Sequence, residues 1–179
     1  EICIEMWELV LGAEPGHPQA IEALAPLYER AREWEKLTGV LETLSEAEPD
    51  PEQQKQQLQK LGMIYGDKLE NDEGAVNAFE RLLSIDPDDR RAQDQLKRRY
   101  VALKAWDKLE EFYEHVQKWD ELIRMFEREA DSEELDVEQR VDLLFRAARL
   151  WEEKNARPER AARSYEKILE LDGDNLQAA

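Results

Sequence analysis

The chain of 179 residues has one cysteine, Cys3, so no intrachain disulfide can form. It has two histidines, His17 and His115. With a single thiol beside them, a structural zinc cluster has too few ligands. No apolar run approaches the ~18 residues that a membrane-spanning helix requires. Alternating runs of Val, Ile and Thr, the mark of half-buried strands, are missing. So are a phosphate-cradling glycine loop, a dinucleotide fingerprint and a Gly-x-Ser-x-Gly elbow. The Asp-Gly-Asp-Asn run at 172–175 is a weak likeness of a calcium loop and reads as a turn. No catalytic residue, metal or cofactor is expected, and the chain is read as a non-enzyme.

Positive charge is also short. Lys and Arg number 25 against 43 Asp and Glu, a net charge of −18, which argues against a nucleic-acid backbone or an anionic membrane as the direct partner. The opening residues carry no basic stretch of the signal-peptide kind and no initiating methionine. A fragment of a longer polypeptide is expected, with an intracellular setting preferred.

What is present is helical. Only seven glycines and seven prolines stand against long segments of 3.6-residue apolar periodicity, which predicts an all-α protein with short connections. The most informative stretch is Leu58–Pro87. Its spacing is Leu58-x2-Leu61-Gly62-x2-Tyr65, then Ala75-x3-Phe79, then Pro87. Glycine inside a helix costs up to about 1 kcal/mol relative to alanine, so Gly62 predicts a close helix–helix contact, with Phe79 filling the adjoining space. The pattern resembles the tetratricopeptide signature, and the chain resembles bacterial-type arrays of that family over nearly its whole length.

The resemblance implies an α-solenoid of antiparallel helix pairs. Laid along the chain, the pattern gives a half repeat at 1–15, repeats at 16–49 and 50–87, an expanded unit at 88–134, a repeat at 135–173 and the start of another at 174–179. Cys3 falls on the small-residue position of the half repeat, where a thiol serves as a compact apolar group. His17 is expected at the cap before Pro18. In the 88–134 unit, Lys97 replaces the small residue, and the phrase Glu-Trp-Glu-Lys-Leu of 33–37 recurs as Ala-Trp-Asp-Lys-Leu at 105–109 and Lys-Trp-Asp-Glu-Leu at 118–122. Trp106 to Trp119 is 13 residues, one short helix, which predicts three helices there. The signature recurs as Ala148, Trp151, Ala161 and Tyr165 in the last full repeat. Uncapped repeats at both ends predict self-association.

The resemblance also implies a protein- or peptide-binding scaffold, with contacts from first helices. The positions carried over are Gln19, Glu22, Pro26 and Glu29; Gln56, Gln59 and Met63; Arg91, Asp94 and Arg98; Asp142, Phe145 and Arg149. A carboxylate-clamp set is absent. Arg91, Arg98, Arg149, Gln59, Met63 and Phe145 are the candidate partner-binding residues, with Arg98 and Arg149 placed to receive an acidic peptide. Pairing of these arginines with nearby acidic helices is the competing expectation. Two rival roles remain beside the scaffold: a half-a-tetratricopeptide part of an RNA-processing assembly, and a regulatory region of a multidomain enzyme or sensor.

Overall fold

The structure, a computed structural model, describes residues 2–173; the expected repeat start at 174–179 lies outside them. The described residues are helical, without strands: α1 Ile2–Ala13, α2 Pro18–Ala31, α3 Trp34–Ala47, α4 Pro51–Asp67, α5 Asp72–Ile85, α6 Arg90–Ala102, α7 Trp106–Val116, α8 Trp119–Ala130, α9 Val137–Glu153 and α10 Pro158–Leu171. Three helices, α6 to α8, occupy the 88–134 segment. The chain divides into two compact units, residues 1–105 and 106–179. Within the first, each helix packs on the next from α1 to α6; within the second, α7 packs on α8, α8 on α9 and α9 on α10.

Local chemistry starts and stops these helices. Asp50, Asn71, Asp89 and Asp136 each accept a backbone N–H of the following first turn, satisfying a donor that the helix itself leaves open. His17 does the same through Nδ1, 3.3 Å from the Ala20 amide. Pro18, Pro51 and Pro158 occupy first turns, where a missing N–H costs nothing.

The turns carry a second regularity. Arg32, Glu70, Lys104, Gln117 and Ala156 all have positive φ, and they stand at the ends of α2, α4, α6, α7 and α9. The amide that follows returns to the carbonyl of the aromatic on the preceding helix in four of them: Glu33 to Tyr28, Asn71 to Tyr65, Ala105 to Tyr100 and Arg157 to Trp151, all within 2.9 Å. The recurring tryptophan phrase follows this turn at Trp34, Trp106 and Trp119.

In the first unit the signature residues meet as the spacing requires. Leu61, Gly62, Ala75 and Phe79 are buried, Tyr65 is half-buried and Pro87 exposed. A Cβ built on Gly62 would stand 2.7 Å from the Phe79 ring, so the helices are closer there than any side chain permits. Gly74 in turn lies under the Tyr65 ring, at 2.8 Å by the same measure. Burying a ring of Phe79's size is worth roughly 1.5–3 kcal/mol. In the second unit Ala148, Trp151 and Ala161 are buried, and Tyr165 meets Phe145 edge to face at 6.0 Å.

Cys3 departs from expectation. It is exposed, and Met6 and Leu9 beside it are 63% and 74% exposed. Seventy-two residues on, the small position is Ala75, fully buried against α4. The packing role needs a helix on that face of α1, and among the described residues none covers it.

Tyr28 is buried and donates to Glu8 Oε1 at 3.0 Å, tying α2 to α1. Burial first, then the Glu8 hydrogen bond and charge, push its pKa up to about 12. The fold therefore favours the neutral phenol. Its contribution is complete below the unfolded value near 10.0 and is lost as pH rises toward about 12.

Two outcomes are expected. Gly62→Ala should lower stability by about 1–3 kcal/mol through overpacking, and Gly62→Leu by more. Adding Phe79→Leu to Gly62→Ala should recover part of the loss. Thermal melts followed by circular dichroism decide it, and a Gly62→Leu melt equal to the parent's would remove the contact from the account. Tyr28→Phe should cost about 0.5–1.5 kcal/mol at pH 8. That deficit should shrink in urea melts above pH 10, since only the parent has a phenol to ionise there.

Candidate partner-binding surface

In the first unit, an open cavity of about 360 Å³ runs along α4 and the start of α6. Gln56, Gln59, Met63 and Arg91 line it together with Glu52, Lys55, Lys60, Leu82 and Asp89. The helical spacing of 56, 59 and 63 puts these three side chains on one face, and Asp89, as cap of α6, brings Arg91 to the rim. Most charges of the wall are already committed. Lys55 reaches Asp86 and Glu52 at 2.8 and 2.9 Å, and these bonds hold its ammonium above the usual range; the same Lys55 contact holds Asp86 below its own. Lys60 pairs with Glu29 at 2.7 Å. Arg91 is exposed and has no ion-pair partner among the described residues. The cavity thus combines a thioether, amide groups and one available guanidinium.

The other expected contact positions are distributed differently. Arg98 is exposed on α6 and does not line this cavity. Its neighbour Arg99 is a structural clasp: it bonds Asp67 at 2.6 Å and Asp72 at 3.0 Å, and its guanidinium fills the space over Gly66, where a Cβ would come within 2.5 Å. Lys97, the substitute for a small residue, pairs with Asp94 on its own helix at 2.8 Å.

In the second unit, Phe145 is half-buried and spent on Tyr165. Arg149 donates to Glu110 Oε2 at 2.7 Å. Arg146 lies beside it and bonds Asp107, Glu110 and Asp142 at 2.7, 2.8 and 2.8 Å. Burial opposes the charge of Arg146, but three carboxylates outweigh it and hold its pKa above the ordinary value. The sequence reading did not single out Glu110 as the acid that ties Arg146 and Arg149 to α7. Only an approach of α7 to α9 reveals it, and separations of 36 and 39 residues give no local signal.

Arg149 also lines a cavity of about 430 Å³ with Asp107, Glu110, Glu111, Glu114 and Glu153. Trp119 lies there with Lys154 Nζ 4.8 Å from its ring centroid, a cation–π contact that occupies the ring. Of the five tryptophans, Trp151 is buried and the other four are half-buried. The histidines sit apart from these cavities, His17 as a cap and His115 exposed on α7. No group of three or more His, Cys, Asp or Glu among the described residues is placed to hold a metal ion. No helix among them is long and apolar enough to cross a membrane.

Family models agree with this geometry. Two models, each described as a tetratricopeptide repeat, match residues 20–55 and 105–138 in one case and 58–89 in the other. Together they span more than half of the chain. The match at 105–138 falls on α7 and α8, so within the three-helix segment these two form the pair that the model recognises. No curated protein matches the chain. Similar solved structures include YrrB, a tetratricopeptide repeat protein with an unusual peptide-binding site, at 13% identity, 98% coverage of this chain, 79% of that one and a TM-score of 0.44. TTC0263, a thermophilic tetratricopeptide repeat protein of Thermus thermophilus, gives 17%, 98%, 84% and 0.37, and BtubC from P. vanneervenii gives 17%, 98%, 82% and 0.39. The spacing of the signature, the buried Gly62–Phe79 contact and the family matches lead to one conclusion: the chain belongs to the tetratricopeptide repeat family.

Proposed function

We propose that this chain is a protein-interaction scaffold whose α4–α6 cavity receives an extended peptide segment carrying an acidic group. Tetratricopeptide repeats generally mediate protein–protein interaction, and the cavity is the feature that narrows this general role. The observation that carries the reading is the convergence of Gln56, Gln59, Met63 and Arg91 on one open cavity, with Arg91 unpaired among the described residues of a chain of net charge −18. Where carboxylates are in such excess, an exposed arginine is normally taken by a neighbour. One that is not has a guanidinium fork available for a ligand's carboxylate. Gln56 and Gln59 would bond the backbone of the extended segment, and Met63 would adapt to an apolar side chain. Arg98, further along the exposed face of α6, would extend the positive edge. Arg149 and Phe145 have structural partners, and the proposal assigns them no contact.

A photo-crosslinking residue at position 59 tests the site directly. In lysate it should capture a discrete partner, and Arg91→Glu should reduce capture about tenfold, the effect of reversing one charge in a charge-assisted pair. Arg149→Glu should leave capture unchanged. Equal capture by the parent and Arg91→Glu proteins would defeat the reading.

A further inference from the structure

A second cavity, of about 190 Å³, lies in the second unit between α8 and α10. Glu127, Arg160, Arg163, Ser164 and Lys167 line it. The cations stand at i, i+3 and i+7 of α10, so one face of that helix presents all three. Each has donors to give. Arg160 stacks on the Trp151 ring, 4.9 Å from its centroid, and stacking leaves the in-plane N–H groups of a guanidinium free. Lys167 holds Asp131 at 3.0 and 3.2 Å, a bond that engages part of a three-donor ammonium. Arg163 is exposed without an ion-pair partner among the described residues. The one carboxylate of the wall, Glu127, accepts the Trp151 indole N–H at 2.9 Å and is tied to α9 by it.

Ser164 distinguishes this place from a plain basic patch. It is 2% exposed, lines the cavity and makes no hydrogen bond among the described residues. Ser45 and Ser84, also within helices, both turn back to a carbonyl three residues earlier, at 2.9 and 2.6 Å. A hydroxyl that forgoes this bond beside a cavity keeps its donor and acceptor capacity available to whatever enters it.

We infer that this cavity binds a phosphate monoester on a side chain of a partner protein. Arg160, Arg163, Lys167 and the Ser164 hydroxyl stand side by side on α10, and three cations beside one hydroxyl supply more positive charge than a single carboxylate calls for, which suits a phosphate dianion. The size admits a single phosphate group with its first carbons. A nucleic-acid strand would bring many further phosphates against a protein of net charge −18, so one isolated phosphate on a protein is the form that fits. This site is separate from the α4–α6 cavity and stands without it.

The test is a titration of the ¹⁵N-labelled full chain, followed by amide shifts, with N-acetyl-O-phosphoserine amide. N-acetylserine amide and inorganic phosphate serve as comparison probes. The phosphoserine probe should shift the amides of residues 160–167 saturably, and the unphosphorylated probe should not. Arg163→Gln should weaken binding about tenfold, as expected for one charge-assisted contact, with the rest of the spectrum unchanged; Ser164→Ala should weaken it severalfold. An unaltered affinity in Arg163→Gln, or equal shifts from the unphosphorylated probe, would overturn the site. Tighter binding of inorganic phosphate than of the phosphoserine probe would overturn the assignment to a partner's side chain.

Discussion

The contact between Gly62 and the Phe79 ring sets the spacing on which the first unit depends. Two helices that approach closely enough to exclude a methyl group must present small residues to one another and a large one beside them. Ala75 and Ala78, buried with Phe79 on the same helix, meet the first need, and Phe79 meets the second. The turn between α4 and α5 follows from this approach. The chain must reverse within a few residues, and it does so by placing Glu70 in the left-handed region and returning the next amide to the Tyr65 carbonyl. The same closure at Tyr28, Tyr100 and Trp151 makes the aromatic a double anchor, packing with its ring and terminating with its backbone.

A packing rule of this kind pushes charge to the outer faces, where the acidic excess governs what each cation does. Arg81 meets Glu42, Arg99 meets Asp67 and Asp72, and Arg146 meets three carboxylates. These cations join helices to one another. Such pairs gain more from geometry and partial burial than exposed ones do. Cations left outside the pairings, among them Arg91 and Arg163, are therefore the informative ones, and each opens on a cavity whose other walls supply polar contacts.

One kind of turn recurs between α6 and α8. Lys104 and Gln117 both adopt the left-handed turn found after α2, α4 and α9, and each is followed two residues later by the tryptophan phrase. The phrase recurs at 13 residues in the sequence, and the family match at 105–138 covers α7 and α8.

Helix positions, turns and the small-against-large contacts were legible in the sequence, because each depends on spacing within one helix pair and on the chemistry of single positions. The glycine at 62, the capping His17 and the third helix after Trp106 are of this sort. Part of the candidate surface was equally legible: Gln56, Gln59 and Met63 share a helix face by their spacing alone. The tertiary structure decided the rest. It put Arg91 on the same cavity, took Arg149 and Phe145 into internal contacts, exposed Cys3, and left Ser164 beside a cavity without a hydrogen bond among the described residues. Ion pairing and cavity lining depend on distances between helices that are far apart in the chain, and a repeat period fixes the order of those helices without fixing which charges meet across them.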